Sequence, residues 1–116
     1  MSRGWLETSL RLNAIEQAWK DQIKNTTLKG LTIKQGYVLS HLYDEDGQKP
    51  SDLAKQVGCA ATSFTPVLDD IESLGLIKRR ADNSDRRAVN ILLTEKGKSV
   101  KVIVCEAIDA VEKAFK

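Results

Sequence analysis

The residues of this chain that are equipped for chemistry are basic, and they are concentrated in one stretch. From Ile77 to Lys101 the sequence has eight lysine or arginine residues and three acidic ones, and Arg86 and Arg87 are adjacent. From Leu42 to Leu76 the balance is reversed, with two basic and seven acidic residues. The net charge of the chain is only +2, so its distribution, rather than its total, indicates an anion-binding surface.

Other kinds of site have little support in the sequence. Cys59, Cys105 and His41 do not form a metal-ligand spacing. No paired acid and base, nucleophile arrangement or phosphate-binding loop is visible. We therefore expect neither an enzyme nor a metal or cofactor site. The sequence also shows no secretory pattern and no apolar stretch long enough to cross a bilayer, which predicts a cytoplasmic protein without a membrane partner.

Helices must position the basic stretch, because apolar residues recur at helical spacing along much of the chain. This spacing predicts a first helix over residues 6–24. A capping box formed by Thr32 and Gln35 predicts the start of a second helix. Pro50 suits the first turn of a short third helix, and Gly75 suits the end of a fourth. With 116 residues the chain can bury a core as one domain.

The apolar period changes to two after Leu76, which predicts a pair of strands joined by a polar loop at residues 82–87. Thr94 is placed to cap a final helix. The apolar stripe of that helix is wide, so the helix either packs wholly on its own domain or contacts a partner. We expect a dimer contact, shared with the first helix.

Four runs of sequence, in this order and at these separations, resemble the multiple antibiotic resistance regulator (MarR) family. They are residues 31–35, residues 53–58, residues 68–77, and residues 85–89 leading to residues 93–97. The resemblance covers nearly the whole chain. It implies a mainly α fold with a small antiparallel β-hairpin wing, a winged helix-turn-helix. Residues 1–116 would then form one domain, with residues 6–24 and 95–116 as dimerisation helices and residues 31–94 as the DNA-binding lobe.

This resemblance also implies a function. The chain would regulate transcription as a homodimer that binds a pseudo-palindromic operator in double-stranded DNA and is relieved by a small-molecule effector or an oxidant. The fourth helix would lie in the major groove and the wing in the flanking minor groove. The alternative is a winged-helix protein-interaction module with weak or no sequence-specific DNA binding, which would explain the acidic fourth helix but not the basic wing.

The hairpin supplies five candidate DNA-binding residues. Arg86 and Arg87 suit a narrow minor groove, where the negative potential is strongest, although such a turn can also be merely a solvated charged loop. Asp85 resembles the family's wing aspartate that orients the inserted arginine, which Arg87 resembles. Arg79 and Arg80 can neutralise phosphates or, alternatively, protect an exposed strand edge. Alternation along the strand would turn Arg79 to the face opposite its two neighbours.

The fourth helix supplies four further candidates, Thr62, Ser63, Thr65 and Pro66. Residues 60–74 contain no lysine, arginine, asparagine or glutamine, so bidentate reading of guanine or adenine from this helix is excluded. The hydroxyls can contact phosphates or base edges, although Thr62 and Ser63 can equally cap the helix. Pro66 lies where the resemblance places a groove-facing side chain. Since proline is harmless only in a first turn, the regular helix is expected to start near Thr62 or Ser63.

Two residues suggest regulation. Cys59 precedes the fourth helix, where a helix N-terminus favours a reactive thiol, and its alternative role is a small buried residue in the turn. His41 can line the ligand crevice that the family often has between the dimer helices and the DNA-binding lobe, or it can be an ordinary half-buried histidine.

Overall fold

The computed structural model describes residues 3–82, 84–85 and 88–116, with backbone only for Arg3. Its elements, in chain order, are α1 (Arg3–Ile23), α2 (Ile33–Asp44), α3 (Pro50–Gln56), α4 (Ala61–Ser73), β1 (Ile77–Ala81), β2 (Val89–Leu93), α5 (Glu95–Ser99) and α6 (Lys101–Phe115). The expected winged helix-turn-helix, mainly helical with one antiparallel hairpin, is confirmed. Across the part of the chain that is described, no helix is both long and apolar enough to cross a membrane.

The start of α2 and the end of α4 follow the local signals in the sequence. Thr32 accepts a hydrogen bond from the Gln35 amide, and the Gln35 side chain accepts one from the Thr32 amide. At the end of α4, Gly75 has φ of 77°. Its amide and that of Leu76 donate to the carbonyls of Glu72 and Ile71, which satisfies two carbonyls at the helix end.

The two terminal helices pack against each other, and α6 also packs against α2. Trp19 of α1 is 1% exposed, and its Nε1 donates to the Leu31 carbonyl at 2.6 Å. From α6, Val104, Ala107 and Val111 are buried. Packing within the chain therefore covers much of the apolar stripe on the last helix, which the sequence analysis had assigned to a dimer contact.

The single final helix expected from Thr94 onward is wrong. Thr94 does cap a helix, since its Oγ1 accepts from the Gly97 amide at 3.0 Å, but this is the short α5. The chain leaves helical geometry at Val100, with φ of −97° and ψ of 9°, and α6 then begins at Lys101. The break lets α5 pack on the hairpin while α6 turns toward α1.

The expected start of α4 is also wrong by one or two residues. The helix begins at Ala61, so Pro66 lies in its second turn rather than its first. Proline has no amide hydrogen, so the usual hydrogen bond to the Thr62 carbonyl is missing at this position. Because Thr62 is exposed, water can satisfy that carbonyl, and the proline is tolerated.

A close approach between α5 and the end of α4 fixes the hairpin to the helices. A Cβ atom at Gly97 would lie 2.1 Å from the Leu76 carbonyl oxygen, which also accepts from the Thr94 amide at 3.1 Å. The Gly97 carbonyl in turn accepts from the Tyr43 hydroxyl at 2.6 Å. Only glycine allows this contact without a backbone shift.

The variant G97A tests this contact. We expect it to lower the free energy of unfolding by about 1–3 kcal/mol, because the overpacking outweighs the better helix propensity of alanine. G4A is the matched control, since a Cβ at Gly4 meets nothing within 4 Å, and it should be neutral or slightly stabilising. Urea denaturation measures both, and equal stability of G97A and the unmodified protein would contradict the contact.

Candidate nucleic-acid interface

One face of α4 is buried and the other carries the predicted DNA-binding residues. Phe64, Leu68 and Ile71 are buried in the core. The four candidates Thr62, Ser63, Thr65 and Pro66 are all exposed. Their place in the fold therefore suits contact with a ligand as large as a DNA duplex.

The capping role considered for Thr62 and Ser63 is wrong. The N-cap of α4 is Ala60, in extended geometry, and among the described residues no side chain provides a cap hydrogen bond. Both hydroxyl residues lie within the first turn instead. The exposed backbone amides of an uncapped helix start can bind an anion such as a phosphate oxygen.

The hairpin register separates its basic residues onto two faces. Ile77 pairs with Leu93 and Arg79 pairs with Ile91, and the side chains of Ile77, Ile91 and Leu93 are buried. Arg79 therefore shares the inner face, as alternation predicts. Arg80, with the neighbouring Lys78, lies on the outer face and is exposed.

Arg79 binds two acidic side chains of α4. Its Nη2 lies 2.8 Å from Asp69 Oδ1, and its Nη1 donates to Glu72 Oε1. These ion pairs give two of the acidic residues of α4 a basic partner. Two features of the sequence could have revealed this pairing. Alternation along the strand places Arg79 on the inner face of the hairpin, and the spacing of three places Asp69 and Glu72 one turn apart on the helix.

The C-terminal end of α4 is held by two side chains from the start of α5. The Lys96 ammonium donates to the Leu74 carbonyl at 2.9 Å. The Thr94 hydroxyl donates to the Gly75 carbonyl at 2.6 Å. A cation at a helix C-terminus also opposes the helix dipole, so Lys96 favours α4 electrostatically as well.

The described part of the wing tip is organised by Asp82. Its Oδ1 accepts from the Ser84 amide at 2.9 Å and the Ser84 hydroxyl at 2.8 Å, and these hydrogen bonds lower the pKa of its carboxyl. The Ala88 amide donates to the Asp85 carbonyl at 3.1 Å. Asp85 is exposed, whereas Arg86 and Arg87 lie outside the described residues. Their DNA-binding role stays a prediction.

Gln48 is a structural residue that the sequence analysis missed. Its carbonyl accepts from the Ile91 amide at 2.8 Å, which adds a third short strand contact to the hairpin. Its side-chain amide donates to the His41 and Glu45 carbonyls and accepts from Gln56 at 2.6 Å. The buried Gln48 side chain therefore joins the end of α2 to the end of α3, and its backbone carbonyl binds the hairpin.

A cavity of about 490 Å³ lies between α1, α2 and α3. His41 lines it, as expected for a crevice residue, together with Tyr37, Lys34 and the apolar Leu12 and Ile15. The Tyr37 hydroxyl donates to Glu112 of α6 at 2.7 Å. Burial raises the pKa of Tyr37 to about 12, and the hydrogen bond and negative charge of Glu112 add to that effect.

Cys59 lies in the turn between α3 and α4 and is half-buried. Its Sγ is 4.0 Å from the Lys34 ammonium, at the limit of a weak hydrogen bond. Cys105 of α6 is also half-buried. The position of Cys59 fits either reading of its role, a reactive thiol or a packing residue.

Comparisons with known proteins agree with this architecture. The family model described as MarR family matches residues 31–89. The HTH-type transcriptional regulator TtmR of Methylorubrum extorquens (strain PA1) is 34% identical over 71 residues, which are 61% of this chain and 36% of TtmR. The uncharacterised HTH-type transcriptional regulator YwhA of Bacillus subtilis (strain 168) is 30% identical over 101 residues, covering 84% of this chain and 73% of YwhA.

A solved structure is similar as well. Overoxidized AbfR bound to DNA has a TM-score of 0.72 and 30% identity, covering 90% of this chain and 74% of AbfR. AbfR is a protein of Staphylococcus epidermidis. The chain spans less than half the length of several curated relatives, 36% of TtmR among them.

Proposed function

The chain belongs to the MarR family, and from this premise we propose that it is a transcriptional regulator that binds double-stranded DNA. The observation that carries the proposal is the pairing of two exposed surfaces on a winged helix-turn-helix. One is the hydroxyl-bearing face of α4, and the other is the outer face of the hairpin with Lys78 and Arg80. The relatives are themselves named transcriptional regulators, and AbfR is a DNA-bound example.

The division of labour follows from the side chains available. Thr62, Ser63 and Thr65 bring hydroxyls to the major groove, where they bind phosphates or base edges, and Pro66 contributes apolar contact. Lys78 and Arg80 neutralise phosphates beside it. Arg86 and Arg87 enter the minor groove, and Asp85 orients Arg87. Most sequence discrimination is then carried by the wing and by DNA shape rather than by bidentate reading from α4.

Substituting the wing arginine tests this division. R87A should weaken binding to duplex DNA from the region upstream of the encoding gene by about tenfold and reduce the salt dependence by about one counterion. Fluorescence anisotropy at two salt concentrations measures both. K24A, which removes one exposed positive charge from the turn that follows α1, is the control and should change neither quantity appreciably.

Two results of these measurements would contradict the proposal. If R87A and K24A bind the upstream duplex as tightly as the unmodified protein does, the wing does not read DNA. If the unmodified protein binds neither that duplex nor a shuffled one at low salt, the protein-interaction reading replaces DNA binding.

We further propose that the chain acts as a homodimer on a pseudo-palindromic operator. The N-terminal half of α1 leaves four large apolar side chains exposed, Trp5, Leu6, Leu10 and Leu12, of which Leu6 and Leu10 lie one turn apart on the same side of the helix. Phe115 at the end of α6 is also exposed. A self-complementary apolar face of this kind favours a two-fold dimer, whose symmetry an operator palindrome mirrors.

The exposed apolar face gives the test of assembly. Sedimentation velocity should show a dimer for the unmodified protein and a shift to monomer for L10E, because a carboxylate in an apolar interface is strongly unfavourable. E7Q is the control on the same helix and should remain dimeric. Dimerisation of L10E at the same concentrations would rule out this face as the interface.

Regulation is proposed at two places, the cavity between α1, α2 and α3 and the thiol of Cys59. The cavity suits a small molecule with an apolar body and a hydrogen-bonding group that reaches Tyr37 or His41. The oxidant reading has a parallel in AbfR, which has been solved on DNA in reduced and overoxidized forms. Cys59 lies within the DNA-binding lobe and the cavity borders it, in keeping with a cytoplasmic regulator that responds to its surroundings.

The two cysteines provide a matched comparison for the oxidant. Hydrogen peroxide should release the unmodified protein and C105S from duplex DNA, whereas C59S should stay bound, because only Cys59 adjoins α4. Release of C59S to the same extent assigns any sensing to another site and leaves Cys59 as a packing residue.

A response of the cavity is measured separately, by displacement of DNA with a panel of small molecules from the unmodified protein and from the cavity-filling variant I15W.

A further inference from the structure

We propose that Arg79 is a positioning residue that acts through α4, by cancelling the charge of Asp69 and Glu72, and does not bind DNA phosphates itself. This role presupposes the DNA binding proposed above. This role replaces the phosphate contact that we expected of Arg79 from its position in the basic stretch. It also explains how a helix with acidic residues can approach a polyanion.

Asp69 belongs to the face of α4 that would approach DNA. It follows Pro66 by three residues, Thr65 by four and Thr62 by seven, and residues at these spacings lie on one side of a helix. All of them are exposed. Without compensation, the carboxylate of Asp69 would stand beside the phosphates that the hydroxyls contact and would repel them.

The guanidinium of Arg79 provides that compensation from the neighbouring strand. Its two Nη atoms bind two different carboxylates, one turn apart on α4, with Asp69 at 2.8 Å. The Arg79 side chain is 27% exposed, so it is far less open to solvent than Asp69 at 58%. The guanidinium is planar, so its hydrogen bonds to two acceptors have a defined direction as well as a charge. The pairing therefore also sets the angle of the wing against α4.

The geometry leaves Arg79 poorly placed for a phosphate. It lies on the inner face of the hairpin with the buried Ile77 and Ile91, whereas Lys78 and Arg80 occupy the outer face. Partly exposed ion pairs contribute little to folding stability. Loss of Arg79 should therefore leave the fold intact. It should lower the affinity for DNA, because both carboxylates would lose their neutralising partner.

A double-mutant cycle separates action through α4 from direct contact. R79Q is compared with the unmodified protein, and D69N/E72Q/R79Q with D69N/E72Q, by anisotropy on the upstream duplex. We expect R79Q to weaken binding by about tenfold in the first comparison and by less than about twofold in the second, where no carboxylate is left to cancel. The salt dependence in the neutralised background should not change, because no phosphate contact is lost.

Asp70 supplies the matched control. It carries the same charge on the same helix but borders a hollow with Lys29 and Gly30 rather than Arg79. In a D70N background R79Q should therefore weaken binding as much as it does in the unmodified protein. Thermal melting followed by circular dichroism should show all variants folded at the assay temperature.

The contradicting results are distinct. Equal losses from R79Q in the two comparisons, with a salt dependence reduced by about one, would make Arg79 a direct phosphate ligand and overturn the positioning role. No loss in either comparison would overturn it as well. Absence of DNA binding by the unmodified protein would instead overturn the proposed function, and the role of Arg79 with it.

Discussion

The attachment of the end of α4 to the hairpin and α5 is the constraint on which the candidate interface depends. Gly97 lies so close to the Leu76 carbonyl that no other residue fits without a shift, while the Thr94 hydroxyl and Lys96 ammonium bind the last carbonyls of α4. Arg79 adds a link one turn earlier. These contacts make α4 and the base of the wing one rigid unit, which is what binding two adjacent grooves requires.

The rest of the domain supports this unit from behind. Helix α6 packs between α1 and α2 and carries the Glu112 that binds Tyr37, so the terminal helices are tied to the helix that precedes the helix-turn-helix. The cavity lined by Tyr37 and His41 lies along the same connection. A ligand in this cavity would compete for contacts that join the proposed dimer face to the DNA-binding lobe. Such competition would couple ligand binding to DNA binding.

Local signals predicted the elements well, because they depend on a few neighbouring residues. The capping box of Thr32 and Gln35 and the glycine end of α4 are examples, and both are present as expected. The errors arose where tertiary contacts decide. The break at Val100 follows from packing α5 on the hairpin and α6 on α1, and the roles of Gln48 and Arg79 depend on partners that lie in other elements. The spacing of residues along the chain does not specify those partners. Nor does it show that the apolar stripe of the last helix, for which we expected a dimer contact, packs largely against α1 and α2 of the same chain.

We expect DNA to bind the face formed by α4 and the wing. Amide chemical-shift mapping of the protein with its upstream duplex tests it directly. We expect chemical-shift changes at Thr62, Ser63 and Thr65 and along residues 78–88, and none in the buried half of α1 around Trp19. Changes confined to α1 and α6, or none at saturating duplex, would contradict it.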